Sequence, residues 1–182
     1  MSDYITRSDL LREAGPVTEQ AAVTRRAATR SPEGAIFLSH SSKDQDLLGP
    51  VIRLLERYGA TVYVDKKDDS LPPYTNRKTA LSLKDRIKKS KKFIVLTSVQ
   101  SKESRWVPWE LGLADGYLTT KNTAILPAVD SKDDYKWAER EYFSIYDRIS
   151  FGRLEGYEAP VHKVRNQEKL TATELSKWLA KG

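Results

Sequence analysis

Short apolar runs alternate along the chain with stretches in which apolar residues recur every three or four positions. Residues 35–39 (AIFLS) form a continuous apolar run, as expected for a strand covered on both faces. The stretch DQDLLGPVIRLLERYG then places Leu47, Leu48, Val51, Leu54 and Leu55 at helical spacing and stops at Gly59. Residues 61–65 (TVYVD) predict a second strand, followed by the loop KKDDSLPPYTN and the helix TALSLKDRIKKS. Residues 93–97 (FIVLT) predict a third strand, with a helix beginning around Trp106. Residues 123–129 (TAILPAV) predict a fourth, which Pro127 places near an edge or a strand end. Residues 134–147 read as helical and 148–151 as a fifth strand. A last helix is announced by Thr171 with Glu174 as a capping box, and its inner face is Leu175, Trp178 and Leu179.

Strands alternating with helices predict an α/β domain: a flavodoxin-like, doubly wound, five-stranded parallel sheet over residues 34–150. Residues 1–33 read as a helical N-terminal extension, with Ser8 or Asp9 capping DLLREA and a Gly15-Pro16 break. Residues 151–182 read as a C-terminal extension carrying the terminal helix. In the strand order 2-1-3-4-5 the winding reverses between strands 1 and 3, and ligands bind in the crevice at their carboxyl ends. Two loops must line that crevice, residues 39–44 and residues 98–110.

Composition narrows the chemistry. Cysteine is absent, which excludes thiolate nucleophiles, disulfides and cysteine metal sites. Two histidines, His40 and His162, far apart in sequence, make a metal centre improbable, and no metal is expected. The apolar runs are too short to span a bilayer and the N-terminus lacks the order of a secretory signal, so a cytoplasmic protein without membrane contact is expected. The net charge of +6 resides in residues 66–92, where ten Lys or Arg face three Asp. No aromatic interleaves with the basic residues of 77–92 as a base-stacking platform, so a solvated face is expected and no nucleic acid.

Within the third-strand loop, SVQSKESRWVPWELGLADG, Pro108 is tolerated only in a first helical turn. That places Glu110 near the positive end of a helix dipole and four residues from Trp106, on the same face. Trp109 reads as core packing. One carboxylate beside one aromatic plane, without thiol or metal, is too little for an ordinary glycosidase, which needs a second carboxyl group to protonate its leaving alkoxide. It suffices for NAD, whose nicotinamide is already cationic and departs neutral. The carboxylate then holds the ribose hydroxyls and stabilises the developing oxocarbenium ion. By spacing alone, Glu110 also reads as an ordinary helix-surface glutamate.

Three segments resemble the Toll/interleukin-1 receptor (TIR) domain family: GAIFLSHSSKD its first-strand box, TVYVD the strand entering its BB loop, and SRWVPWELGLADG its Ser-x-Trp-x-x-x-Glu segment. The chain looks most like small bacterial TIR proteins, including those of anti-phage systems such as Thoeris. The resemblance implies an NAD glycohydrolase or ADP-ribosyl cyclase using NAD as substrate and no cofactor. It makes Glu110 catalytic and Trp106 a wall of the site, with Phe37, Ser39 and Ser41 along the nucleotide cleft. The BB loop departs from the family pattern, since Asp65 is followed by KKDDSLPPYTN in place of a glycine-containing turn, and Asp65 and Tyr74 are its candidates for substrate contact. His40 within the box reads as structural. The resemblance further implies TIR-TIR self-association and a downstream effector that senses the product. A non-catalytic TIR adaptor and a nucleoside deoxyribosyltransferase-like enzyme remain the alternatives.

Overall fold

The computed structural model describes residues 3–65, 77–104, 106–132, 134–139 and 141–181. Its elements run β1 (Ile5–Thr6), α1 (Arg7–Arg12), α2 (Val17–Thr29), β2 (Ile36–Ser39), α3 (Gln45–Arg57), β3 (Val62–Tyr63), α4 (Arg77–Lys89), β4 (Lys92–Ser98), α5 (Trp106–Leu118), β5 (Thr123–Val129), β6 (Asp147–Gly152), β7 (Val161–Asn166), β8 (Thr171–Glu174) and α6 (Leu175–Ala180). The sheet order is β3-β2-β4-β5-β6-β7-β8. Its first five members are parallel and reproduce the expected 2-1-3-4-5 winding. No helix among the described residues is long and apolar enough to cross a membrane.

The strands are apolar on both faces because helices cover both. On one side Ile36, Leu38, Ile94, Leu96, Leu126 and Ile149 pack against the α3 stripe of Leu47, Leu48, Val51, Leu54 and Leu55, joined by Leu10, Val23, Trp178 and Leu179. On the other, Phe37, Tyr63, Phe93, Val95 and Ile125 meet Leu83 and Ile87 of α4 and Val107, Leu111 and Ala114 of α5. The alternation along β2 therefore turns Phe37 and Ser39 toward α5.

Several expectations change. The N-terminal segment is stitched into the sheet: β1 lies parallel to β5, with Ile5 opposite Ala128 and Thr6 opposite Val129. Neither Ser8 nor Asp9 is the cap of α1. Thr6 is, its hydroxyl accepting from the Asp9 N–H while the Asp9 carboxylate accepts from the Thr6 N–H. Pro127 does not mark a sheet edge, since β5 is internal. On the side of β5 away from β4, β6 pairs with Ala124 and Ile125 and β1 with Ala128 and Val129. Pro127 falls in the gap between these two partners, the position where a missing N–H costs least.

Residues 161–174 contribute an antiparallel pair, β7–β8, that continues the sheet beyond β6. Thr171 consequently belongs to a strand, and the cap of α6 is Glu174, whose carboxylate accepts from the Lys177 N–H. The inner face of Leu175, Trp178 and Leu179 is buried as expected. In place of a helix over 134–147 stand two 3-10 turns, Lys136–Glu139 and Glu141–Phe143. Trp137 and Ala138 pack toward Tyr4 and Val129, whereas Phe143 and Tyr146 join the α5 cluster. One continuous helix would present a single stripe and could not serve both. The basic stretch also divides: Lys92 is buried in β4, its ammonium donating to Asn122 Oδ1 at 2.8 Å and lying 4.4 Å from the Trp178 ring centre. Loss of solvent, followed by repulsion from Lys91, lowers its pKa to about 8.

On β7, His162 contacts the Phe151 ring and lies 3.1 Å, Nδ1 to hydroxyl oxygen, from Tyr58 of the residue pair closing α3. Burial, then the nearby Arg57, depresses its pKa to about 4. The unfolded chain takes up this proton near pH 6.5 and the folded chain only near 4, so stability is intact above 6.5 and falls as pH drops through that window. A shift of this size corresponds to a loss on the order of 2 kcal/mol after allowing for partial solvent access. Urea titrations at pH 7 and pH 4.5 are expected to show a smaller pH effect for His162→Asn than for the wild type.

Candidate active site

The carboxyl ends of β2 and β4 and the start of α5 converge as the winding requires. The Ser104 hydroxyl accepts from the Val107 N–H at 3.3 Å, satisfying one of the unpaired amides at the start of α5. Pro108 occupies its first turn. Glu110 is the fifth residue of α5, just past the turn where the helix dipole acts most strongly. It points inward and is wholly buried at 0% exposure. The Ser39 hydroxyl, at the end of β2, donates to Glu110 Oε2. A carboxylate taken out of water needs such a donor, because its desolvation is otherwise uncompensated.

Trp106 is half-buried against the α5-side core. Trp109 is not core packing: it is 38% exposed and meets Trp106 edge-on, ring centres 5.5 Å apart and planes at 79°. A small cavity beside β4 is lined by Thr97, Ser98, Ser101, Ser104, Pro108 and Tyr142, among others, and its volume is about 10 Å³. That is room for about one water. None of Ser39, Trp106 and Glu110 lines this cavity.

The other expected site residues are distributed as follows. Phe37 does not line a cleft: it is at 0% exposure in the core, 5.5 Å from Phe93 in stacked geometry and 5.4 Å from Tyr63. Ser41 is buried and caps the 3-10 turn Ser42–Asp44, its hydroxyl accepting from the Lys43 N–H at 3.3 Å. Asp65 stands at the end of the second strand, ion-paired with Arg86 of α4 and accepting from the Tyr63 hydroxyl at 3.1 Å. Tyr74 lies outside the described residues. His40 is buried with its Nε2 at 3.3 Å from Gln45 Nε2. Among the described residues, no group of three or more His, Asp or Glu is placed to hold a metal ion.

Sequence reasoning passed over Asp44 and Ser98. Asp44 is wholly buried, and the Ser98 hydroxyl donates to its Oδ1 at 2.6 Å, tying the β2 loop to the β4 loop. The available signal was a buried-type Ser-x-x-Asp spacing from Ser41, which also reads as a cap.

The Ser39 contact can be tested directly. Ser39→Ala removes the donor and leaves a buried carboxylate oxygen to reorganise, with an expected cost of about 1–3 kcal/mol in stability. A drop in Tm of several degrees, read by calorimetry, is the result expected.

A family model described as the TIR domain matches residues 36–163. Two curated proteins are similar. The chain is 33% identical over 121 residues to the "Probable 3' cyclic ADP-D-ribose synthase ThsB'" of Bacillus cereus, an alignment covering 65% of this chain and 62% of that protein. It is 32% identical over 79 residues to the "Putative cyclic ADP-D-ribose synthase TIR2" of Cytobacillus dafuensis, covering 42% and 21% respectively. The chain thus spans less than two thirds of the length of either relative.

Proposed function

Because the chain belongs to the TIR domain family, we propose that it is an NAD-cleaving enzyme in which Glu110 is the catalytic carboxylate. The observation that carries this reading is the pairing of Glu110 with Ser39 at the carboxyl ends of the central strands, where the winding places a ligand. Support comes also from relatives named as cyclic ADP-D-ribose synthases.

In this reading the bond between ribose C1′ and the pyridinium nitrogen breaks and its electron pair leaves with nicotinamide, which departs neutral. Glu110 holds the ribose hydroxyls and stabilises the oxocarbenium ion. No proton need be supplied to the leaving group, which is why one carboxylate suffices. A nucleophile then captures C1′ and loses a proton. Relatives named as cyclic ADP-D-ribose synthases support capture by an atom of the same molecule. The expected product is accordingly a cyclised ADP-ribose, with linear ADP-ribose as the minor outcome.

Activation of the site we assign to self-association through TIR-TIR contacts. The product would act as a signal read by a downstream effector, in the setting of anti-phage defence. The test is to incubate the purified chain with NAD, dilute and concentrated, and to separate the products by mass spectrometry. Nicotinamide release with a cyclic product is expected at high concentration. Intact NAD under both conditions, from folded protein, would overturn the reading.

A further inference from the structure

Arg7 opens α1 directly after β1, and its guanidinium faces three acids on two segments, Asp44 and Asp46 at the start of α3 and Asp130 after β5. Asp44 Oδ1 is 3.5 Å from Nη1, Asp130 Oδ1 is 4.0 Å from Nε, and Asp46 is ion-paired with Nη2. The side chain of Arg7 is only 17% exposed and that of Asp44 not at all. Beyond Asp44 the chain of contacts continues through Ser98. The hydroxyl that donates to Asp44 also accepts from the N–H groups of Gln100, at 3.0 Å, and Ser101, at 3.2 Å. The Ser101 hydroxyl closes the same turn, accepting from the Ser98 N–H at 2.8 Å and donating to the Ser98 carbonyl at 3.0 Å. This turn leads into α5, which carries Glu110 to Ser39.

We propose that Arg7 and Asp44 are positioning residues for the reaction at Glu110: the N-terminal segment, through Arg7, anchors Asp44, and Asp44, through Ser98, fixes the turn from which α5 presents its carboxylate. This rests on the reading of Glu110 given above. Arg7 lies before residue 36, where the family match begins, so the device belongs to this chain's own N-terminal segment. Asp46 and Asp130 are about half exposed, whereas Arg7 and Asp44 meet out of solvent, so the coupling runs through Asp44 and Ser98, where displacing one member shifts the rest.

The electrostatics give the clamp a signature. Burial raises the Asp44 carboxyl above its ordinary range, the Ser98 hydrogen bond and then Arg7 oppose that rise, and the neighbouring Asp46 adds to it. Asp130 faces Arg7 from the end of β5. Withdrawing the guanidinium leaves Asp44 with Ser98, Ser101 and an adjacent like charge, so protonation of Asp44 moves to higher pH. An activity that depends on ionised Asp44 then loses its acid limb at higher pH.

The experiment uses the full chain with Arg7→Met, which keeps length and removes charge, and Arg7→Lys, which keeps charge. Steady-state kinetics on NAD are measured across pH, with amide hydrogen exchange over residues 98–104. Expected for Arg7→Met are a kcat about tenfold lower with KM within about twofold of wild type, since misplacement by a fraction of an ångström already costs that much. The acid limb moves up and exchange at 98–104 quickens, while Arg7→Lys recovers most of each. Wild-type kcat and acid limb in Arg7→Met, or Arg7→Lys no better than Arg7→Met, overturns the clamp. Unchanged exchange in Arg7→Met also overturns it, whatever the wild type does with NAD. Quickened exchange together with an inert wild type would instead overturn the NAD reading and leave the physical coupling standing.

Discussion

Glu110→Gln is expected to lower NAD turnover by about 10³-fold, the scale on which a preorganised charge aimed at a transition state acts. Glutamine has the shape of glutamate and can still accept the Ser39 hydrogen bond, so the buried contact of that hydroxyl survives. What is lost is the negative charge facing the ribosyl cation. The protein should therefore remain folded, with a Tm within a few degrees of wild type, and nicotinamide release should fall to near background. A variant that keeps more than about a tenth of wild-type turnover would remove Glu110 from the chemistry, because one carboxylate carries the whole electrostatic burden in this reading. Binding of NAD, followed by calorimetry or by protection in hydrogen exchange, is expected to weaken far less than turnover.

Phe37 provides the second large effect, and it falls on stability. The ring sits between Phe93 and Tyr63 with none of its surface exposed, so truncation to alanine leaves a void that close-packed neighbours fill only in part. Phe37→Ala is expected to destabilise the chain by about 3–5 kcal/mol, measured by urea titration. Phe37→Leu keeps most of the apolar volume and should leave KM for NAD unchanged. Had Phe37 touched the nucleotide, as the first-strand box implied, the leucine variant would raise KM while barely altering stability. The two substitutions together separate a packing role from a binding one.

The central sheet could be read from the sequence because buried parallel strands announce themselves as continuous apolar runs, as in residues 35–39, 93–97 and 123–129. β7 and β8 gave no such signal. Along VHKVRN only Lys163 and Val164 are buried, and TATE passes from exposed at Thr171 and Ala172 to half-buried at Thr173 and Glu174, as befits strands at a sheet margin. β1 is two residues long, too short for any periodicity, and its existence depends on an open stretch of β5 that only the assembled sheet creates. Glu110 was legible because Pro108 fixes where its helix starts. Ser39 was placed in the same crevice by the strand order, but its hydrogen bond to Glu110 was not legible, since the two stand 71 residues apart and no local pattern couples them. The same holds for Arg7 and Asp44, whose meeting is a product of how β1 docks. Trp109 misled because indoles are usually buried, whereas this one lies on the outer side of α5.

The shared edge of β5 has an energetic corollary. Two partners laid end to end along one strand, β1 at Ala128 and Val129 and β6 at Ala124 and Ile125, make no ladder bonds in common. Detachment of the first costs β6 only the Phe151 N–H bond to the Asp3 carbonyl and the Arg148 contact with Tyr4, so the N-terminal strand and its helix form a unit able to open at a free energy below that of global unfolding. Such partial opening would undo the Arg7 ion pairs while the remaining sheet stays whole, giving the molecule a low-lying excited state in which Asp44, and through it the Ser98 turn, has lost its cationic anchor.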